Sequence, residues 1–217
     1  MKERPILFNG AMVRAILNGR KTQTRRVIKP EWSRCLDLND MDDREQARIR
    51  APLGRTGDQL WVRETWAAVH VSRDFETGVP DDVVGSPHIP EAEDDDVVEG
   101  YWRPVYAASD PCASDSVEDR GFRWRPSIHM PRWASRINLA LVDVRTERLK
   151  AISWTDARAE GISCSSHDFP GGFCTGACGA LSHAWIDLWD SVAKPEHSWD
   201  ANPWVWVYEF KRVEAAA

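Results

Sequence analysis

The apolar residues of this chain fall in short groups whose spacing switches between helix-like and strand-like periods. Residues 6–8 form a short apolar strand. In the "GAMVRAILNG" that follows, Met12, Val13, Ile16 and Leu17 recur at helical spacing, and Gly19 stands where a left-handed residue stops a helix. "TGDQLWVRETWAAV" predicts a turn at Gly57 and Asp58, then a strand with Leu60, Val62 and Glu64 on one face and Trp61 and Arg63 on the other. "YWRPVYAAS" predicts a further strand. Residues 137–144 predict a stronger one, in which Ile137, Leu139 and Leu141 alternate with more polar neighbours. "SWTDARAEGI" reads as a short helix capped by Ser153 and stopped by Gly161. "ALSHAWIDLWDSV" reads as an amphipathic helix with Leu181, Trp185, Leu188, Trp189 and Val192 on one side, and 204–213 as a closing strand.

Between these elements the pattern fades. Residues 29–56 are polar and irregular, with one short helix expected in "DLNDMDDREQARIR". Residues 72–100 are acidic and rich in proline and glycine, which suits a solvated insertion. "SCSSHDFPGGFCTGACG" reads as a loop. The succession of elements predicts an α+β protein, a small mixed β-barrel with peripheral helices rather than a parallel βαβ array. We expect one domain over 1–217, with insertions at about 30–50, 72–120 and 163–180. No internal repeat is visible.

Composition narrows the function classes. The chain has 217 residues, enough for one good core. Its net charge of −6 argues against non-specific coating of duplex nucleic acid, which needs a basic surface, but leaves room for a local basic pocket. The twelve tryptophans include several beside arginine, in "RWR", "PRW" and "YWR". Such pairs can stack on bases, although most tryptophans fill cores. No apolar run reaches the roughly 18 residues of a membrane span, and the N-terminus lacks a signal-peptide h-region of about 7–15 residues. Five cysteines, an odd number, do not suggest a secreted disulfide framework. A cytoplasmic protein without membrane partners is the expectation, with the oligomeric state open.

One stretch contradicts the acidic average. "NGRKTQTRR" places Arg20, Lys21, Arg25 and Arg26 beside Thr22 and Thr24 with no carboxylate. Lys21 and Thr24 are three apart at a helix exit, so their side chains can converge. A threonine hydroxyl needs a base to become a nucleophile, and a lysine serves only when its pKa falls toward neutrality. Neighbouring arginines push it that way, and can also hold a phosphate or a developing oxyanion. The plain alternative is a basic surface turn at a helix C-terminus, where cations are favoured.

The blocks "ILNGRKTQTRR", "GDQLWVRETW", "RPSIHMPRWASRI", "ISWTDARAEGI" and "WDANPWVWVYEF", in that order, resemble the ASCH domain family, and more closely the ASCH-type proteins often encoded in phage and prophage genomes. The resemblance spans the chain except for roughly 30–50, 72–120 and 163–180. It implies a PUA-like β-barrel with a pocket for a nucleobase or nucleotide. Some small members remove the acetyl group from N4-acetylcytidine, with a lysine as base, a threonine as nucleophile and a glutamate as acid. Their Gly-Arg-Lys-Thr-x-Thr signature stands here as Gly19 to Thr24, so the resemblance implies Lys21 and Thr24 for the first two roles and Glu160 for the third. Other members are ribonucleases or RNA binders. This chain is about twice the length of the small amidohydrolases.

Further candidates surround this set. Glu64 in "LWVRETW" competes with Glu160, because flanking tryptophans desolvate a carboxylate and raise its pKa; paired with neighbours, it is structural instead. Arg63, Trp66, Arg132, Trp133 and Arg136 join Arg20, Arg25 and Arg26 as expected substrate contacts, with Trp133 suited to stacking a base and the arginines to a phosphate. Cys164, His167, Cys174 and Cys178 have the spacing C-x2-H-x6-C-x3-C, which can hold zinc but matches no C-x2-C knuckle or finger spacing. Free cysteines are the expectation there, and neither metal nor cofactor is expected elsewhere. The expected function is hydrolysis of an acyl group from N4 of a cytidine-type nucleoside. The alternatives are a non-catalytic reader of a modified base or single-stranded RNA, and a ribonuclease. The expected partner is a modified nucleoside or nucleotide, with single-stranded RNA as the alternative.

Overall fold

The computed structural model of the chain describes residues 1–37, 51–73, 80–83, 100–117, 121–162 and 179–213. It is an α+β protein. By internal contacts it divides into a first unit of Met1–Ile6, Ala15–Trp61 and Ile137–Ala217 and a second of Leu7–Arg14 and Val62–Arg136. Among the described residues no helix is long and apolar enough to cross a membrane.

Strand β1 (Glu3–Leu7) leads into helix α1 (Gly10–Leu17). The helix buries Val13, Ala15 and Ile16 and ends as its glycine predicts. Gly19 has φ 69°, its N–H donates to Ile16 O at 3.0 Å, and the Arg20 N–H donates to Ala15 O at 2.8 Å. This double closure satisfies two terminal carbonyls at once. The chain then enters β2 (Gln23–Val27) and α2 (Pro30–Asp37), neither of which the hydrophobic pattern predicts. β2 reads "QTRRV", and apolar alternation cannot reveal a strand whose inward residues are polar. The helix expected in 37–50 lies outside the described residues, apart from Asp37, which closes α2.

β3 (Gln59–Arg63) follows the turn, where Gly57 has φ 89°. Leu60, Val62 and Glu64 are buried and Trp61 and Arg63 half-buried, so the predicted alternation holds. β7 (Asn138–Arg148) outruns the predicted 137–144, because a bulge between Leu141 and Asp143 resets the alternation and lets pairing continue. β8 (Trp204–Val213) has the predicted bounds. These strands form a sheet of order β1-β3-β7-β8-β2. β1 and β2 stand at its two ends, and no ladder closes it among the described residues.

Helices α3 (Trp154–Ala159) and α4 (Gly179–Val192) pack on one face of this sheet. Ser153 caps α3 in a capping box with Asp156, and Gly161 follows the helix with φ 91°. Ala157, Trp185 and Trp189 form a core cluster with Leu149, Val205 and Val207. Leu188 packs against this cluster, and Val192, the last residue of α4, is 62% exposed.

In the second unit, β4 (Trp66–Arg73), β5 (Pro80–Val83) and β6 (Gly100–Tyr106) form an antiparallel sheet of order β5-β4-β6. β5 lies within the expected insertion at 72–100, its Pro80–Val83 pairing with Arg73 to His70; 74–79 and 84–99 lie outside the described residues. Trp66, Ala68, Met130 and Ala134 form this unit's buried cluster.

Candidate functional site

β2 carries the basic run, and its pairing fixes where each side chain points. Thr24 pairs with Tyr208 and Arg25 with Val207, while β7 pairs Val144 with Tyr208 and Arg145 with Val207. Side chains of directly paired residues share a sheet face and successive ones alternate. Gln23 and Arg25 therefore share a face with Arg145, Glu147, Val207 and Glu209, while Thr24 and Arg26 lie on the other face with Tyr208 and Trp206.

Lys21 precedes the strand and forms an isolated antiparallel bridge with Glu160, the residue that caps α3. Its Nζ donates to Glu160 Oε2 at 2.6 Å and to Glu160 O at 2.9 Å. Both side chains are buried. Burial holds the Lys21 ammonium below its ordinary pKa; the charge and hydrogen bond of Glu160 pull it up, and Arg26 and Arg25 push it down further. Arginines thus contribute as the sequence suggests, but desolvation comes first. Arg20 Nη1 donates to Gly161 O at 3.3 Å in an exposed position.

Two further arginines complete the cluster. Arg25 Nη1 donates to Glu160 Oε1 at 3.0 Å, and its Nε and Nη2 donate to Glu147 Oε1 at 3.1 and 2.7 Å. Arg26 Nη1 donates to Thr24 Oγ1 at 2.9 Å and to Arg25 O at 2.9 Å. Thr24 is 0% exposed. The Thr24 hydroxyl thus meets Arg26 while Lys21 meets Glu160, and the register sets Thr24 on the sheet face opposite Arg25.

The sequence reading missed Glu147, Asp156 and Gly161 as parts of this arrangement. Asp156 Oδ2 lies 3.7 Å from Arg25 Nη2, and its Oδ1 accepts from Gln23 Nε2 at 2.9 Å. Burial raises the Asp156 pKa, while hydrogen bonds from Ser153 and Gln23 and the Arg25 charge together bring it below the ordinary value. A Cβ on Gly161 would stand 2.9 Å from Ala15 Cβ and 3.1 Å from Lys21 Cβ, so only glycine lets the Glu160 turn approach this closely. For Glu147 the available signal is its two-residue spacing from Arg145, which puts both on one strand face.

Glu64, Arg63, Trp66, Arg132, Trp133 and Arg136 belong to the second unit, whereas Lys21, Thr24 and Glu160 belong to the first. Glu64 is 1% exposed and both its oxygens accept from Arg136, Oε1 from Nε and Oε2 from Nη2, each at 2.9 Å. Arg136 Nη1 donates to Ser109 Oγ at 2.9 Å, and the guanidinium lies 3.9 Å from the Tyr106 ring centroid. Glu64 is thus paired with Arg136, and Arg63 Nη2 donates to Ile128 O. Trp133 is 56% exposed, and its ring meets buried Trp66 edge-on at 5.7 Å. Arg132, beside it, is also exposed. Cys164, His167, Cys174 and Cys178 lie outside the described residues.

Compared with models of known families, with characterised proteins and with solved structures, the chain matches none.

Proposed function

We propose that the chain is an ASCH-type amidohydrolase with a PUA-like architecture, removing an acyl group from the exocyclic N4 of cytidine-type nucleosides. The observation that carries this reading is the buried contact of 2.6 Å between Lys21 Nζ and Glu160 Oε2, in the unit that holds Thr24. Burial makes the Lys21 ammonium give up its proton more readily than an exposed lysine does, and a carboxylate against it supplies an exit for that proton.

The steps balance through this pair. In this scheme the proton of Thr24 Oγ1, whose contact in the resting structure is Arg26, passes to deprotonated Lys21 as that oxygen attacks the acyl carbon. The proton crosses to Glu160 and passes to N4 as the carbon–nitrogen bond breaks, releasing the free amine and leaving an acyl ester on Thr24. Water then attacks the ester, one of its protons returns to Thr24 through the same pair, and the carboxylic acid leaves. Arg26, 2.9 Å from the attacking oxygen, is near enough to offer its charge to the tetrahedral oxyanion. No cofactor is required.

Purified protein incubated with N4-acetylcytidine, followed by the change in ultraviolet absorbance on deacylation, tests the reading. Lys21→Ala and Thr24→Ala are each expected to lose activity by about 100-fold or more. Unchanged turnover in either variant removes that residue from the mechanism. The second reading is a non-catalytic reader of a modified base. It is favoured by the full burial of Thr24 under the hydrogen bond from Arg26, and tight binding of N4-acetylcytidine without turnover selects it.

A further inference from the structure

We propose that Arg25 is a positioning residue that holds Glu160 in register with Lys21, a role that rests on the amidohydrolase reading. Glu160 is the C-cap of a helix only six residues long, followed by a glycine turn, and its backbone alone does not fix a carboxylate. Lys21 reaches one oxygen of that carboxylate and Arg25 the other, at 2.6 and 3.0 Å. The two cations are not equivalent. Lysine ends in a point charge on four rotatable carbons, whereas the arginine fork is planar and aims its donors in fixed directions.

Arg25 is itself immobilised on its far side. Its Nε and Nη2 converge on Glu147 Oε1 of β7, Asp156 Oδ2 stands at 3.7 Å, and the guanidinium carbon lies 5.7 Å from the Trp185 ring centroid. Its side chain is 0% exposed. The path Glu147–Arg25–Glu160–Lys21 thus ties the proposed acid to the middle of the sheet rather than to the short helix that carries it. With Oε1 occupied by a charged donor, Oε2 is directed at Lys21, where a proton has to cross. Arg25 makes no proton transfer in this scheme. It acts through Glu160 and confines the carboxylate to one rotamer.

The test uses Arg25→Gln, Glu160→Gln and the double variant of the full chain, with lysine 13Cε labelling so that the Lys21 midpoint is read by NMR. In the wild-type background, Glu160→Gln is expected to lower the Lys21 midpoint, since Glu160 raises it. In the Arg25→Gln background the same change is expected to shift that midpoint less than half as far. On N4-acetylcytidine, Arg25→Gln is expected to lose about 100-fold in kcat with KM nearly unchanged, and to add nothing to the loss of Glu160→Gln. On p-nitrophenyl acetate, whose leaving group departs without a proton, the first-turnover burst of p-nitrophenolate, which precedes deacylation, is expected to keep its rate within about threefold of wild type. Undiminished coupling between Glu160 and Lys21, or equal losses on both substrates, overturns the inference. A wild type that hydrolyses neither substrate defeats the amidohydrolase reading, and the Lys21 coupling then decides the placement of Glu160 by itself. Should Arg25→Gln fail to fold, Glu147→Gln keeps the arginine but weakens its far anchor, and is expected to shrink the same coupling; full coupling there overturns the inference equally.

Discussion

A buried lysine and a buried tyrosine give this protein two opposed dependences on alkaline pH. An unfolded lysine keeps its proton to about pH 10.4, whereas folded Lys21 releases it earlier because burial disfavours the ammonium. The unfolded chain therefore binds more protons between the folded midpoint and about pH 10.4, and stability rises with pH across that window. Tyr208, paired with Thr24 in the register, behaves in the opposite sense. Burial pushes its hydroxyl up to about 12, against the hydrogen bond it accepts from Leu53 N–H and the charges of Arg26 and Arg4. Unfolded tyrosine ionises near pH 10, so stability falls from there to about pH 12, by roughly 2–3 kcal/mol in total. The rise in stability to urea on the approach to about pH 10.4 is expected to be lost in Lys21→Met. The same measurement at pH 10.5 to 12 is expected to lose much of its falling slope in Tyr208→Phe. Slopes that survive either change assign the titration to other groups.

At the scale of elements, what carried over from the sequence is what local chemistry determines. Gly19, Ser153 and Gly161 each announced a helix boundary through backbone geometry that needs no distant partner, and each stands at the boundary it marked. The alternation of Leu60 and Val62 announced a half-buried strand for the same reason. β2 stayed hidden because its pattern is satisfied at long range. Gln23 and Arg25 are buried polar residues made tolerable by Glu147, Asp156, Glu160 and Glu209, which lie more than 120 positions away. No window of neighbouring residues contains that compensation. The lysine, threonine and glutamate of the proposed site were picked out through the resemblance, whereas the contacts of Arg25 with Glu147 and Glu160 emerge only with the β2–β8–β7 register. Gly161 joins the two levels, being both a local stop and a long-range fit. Gly161→Ala is expected to cost about 2 kcal/mol, from a strained φ of 91° and a Cβ 2.9 Å from that of Ala15. Acylcytidine turnover is expected to fall with it, as Glu160 is pushed off Lys21. An alanine variant with wild-type stability and turnover shows that this turn relaxes without moving the carboxylate.

For the whole molecule, the division into two units separates the two glutamates that compete for the role of acid. Glu64 lies in the second unit with both oxygens on Arg136, and Glu160 lies in the first with one oxygen on Lys21 and the other on Arg25. Both are buried carboxylates held by cations, so burial alone does not tell them apart. Their partners do. A guanidinium is a donor that does not give up its proton in proteins, so a glutamate–arginine pair has no proton to pass on. Lys21 can lose and regain one, so the Glu160 pair can. Truncating Glu64 leaves a guanidinium without its counter-charge in a partly buried place, which costs about 3 kcal/mol. Glu64→Ala is therefore expected to lower the unfolding midpoint in urea while kcat on N4-acetylcytidine, measured well below the melting temperature, stays within about threefold. Glu160→Ala is expected to do the reverse in kcat, with a loss of about 100-fold or more. A Glu64→Ala protein that keeps its stability and loses turnover moves the acid to the second unit, and makes the Lys21–Glu160 contact a structural ion pair.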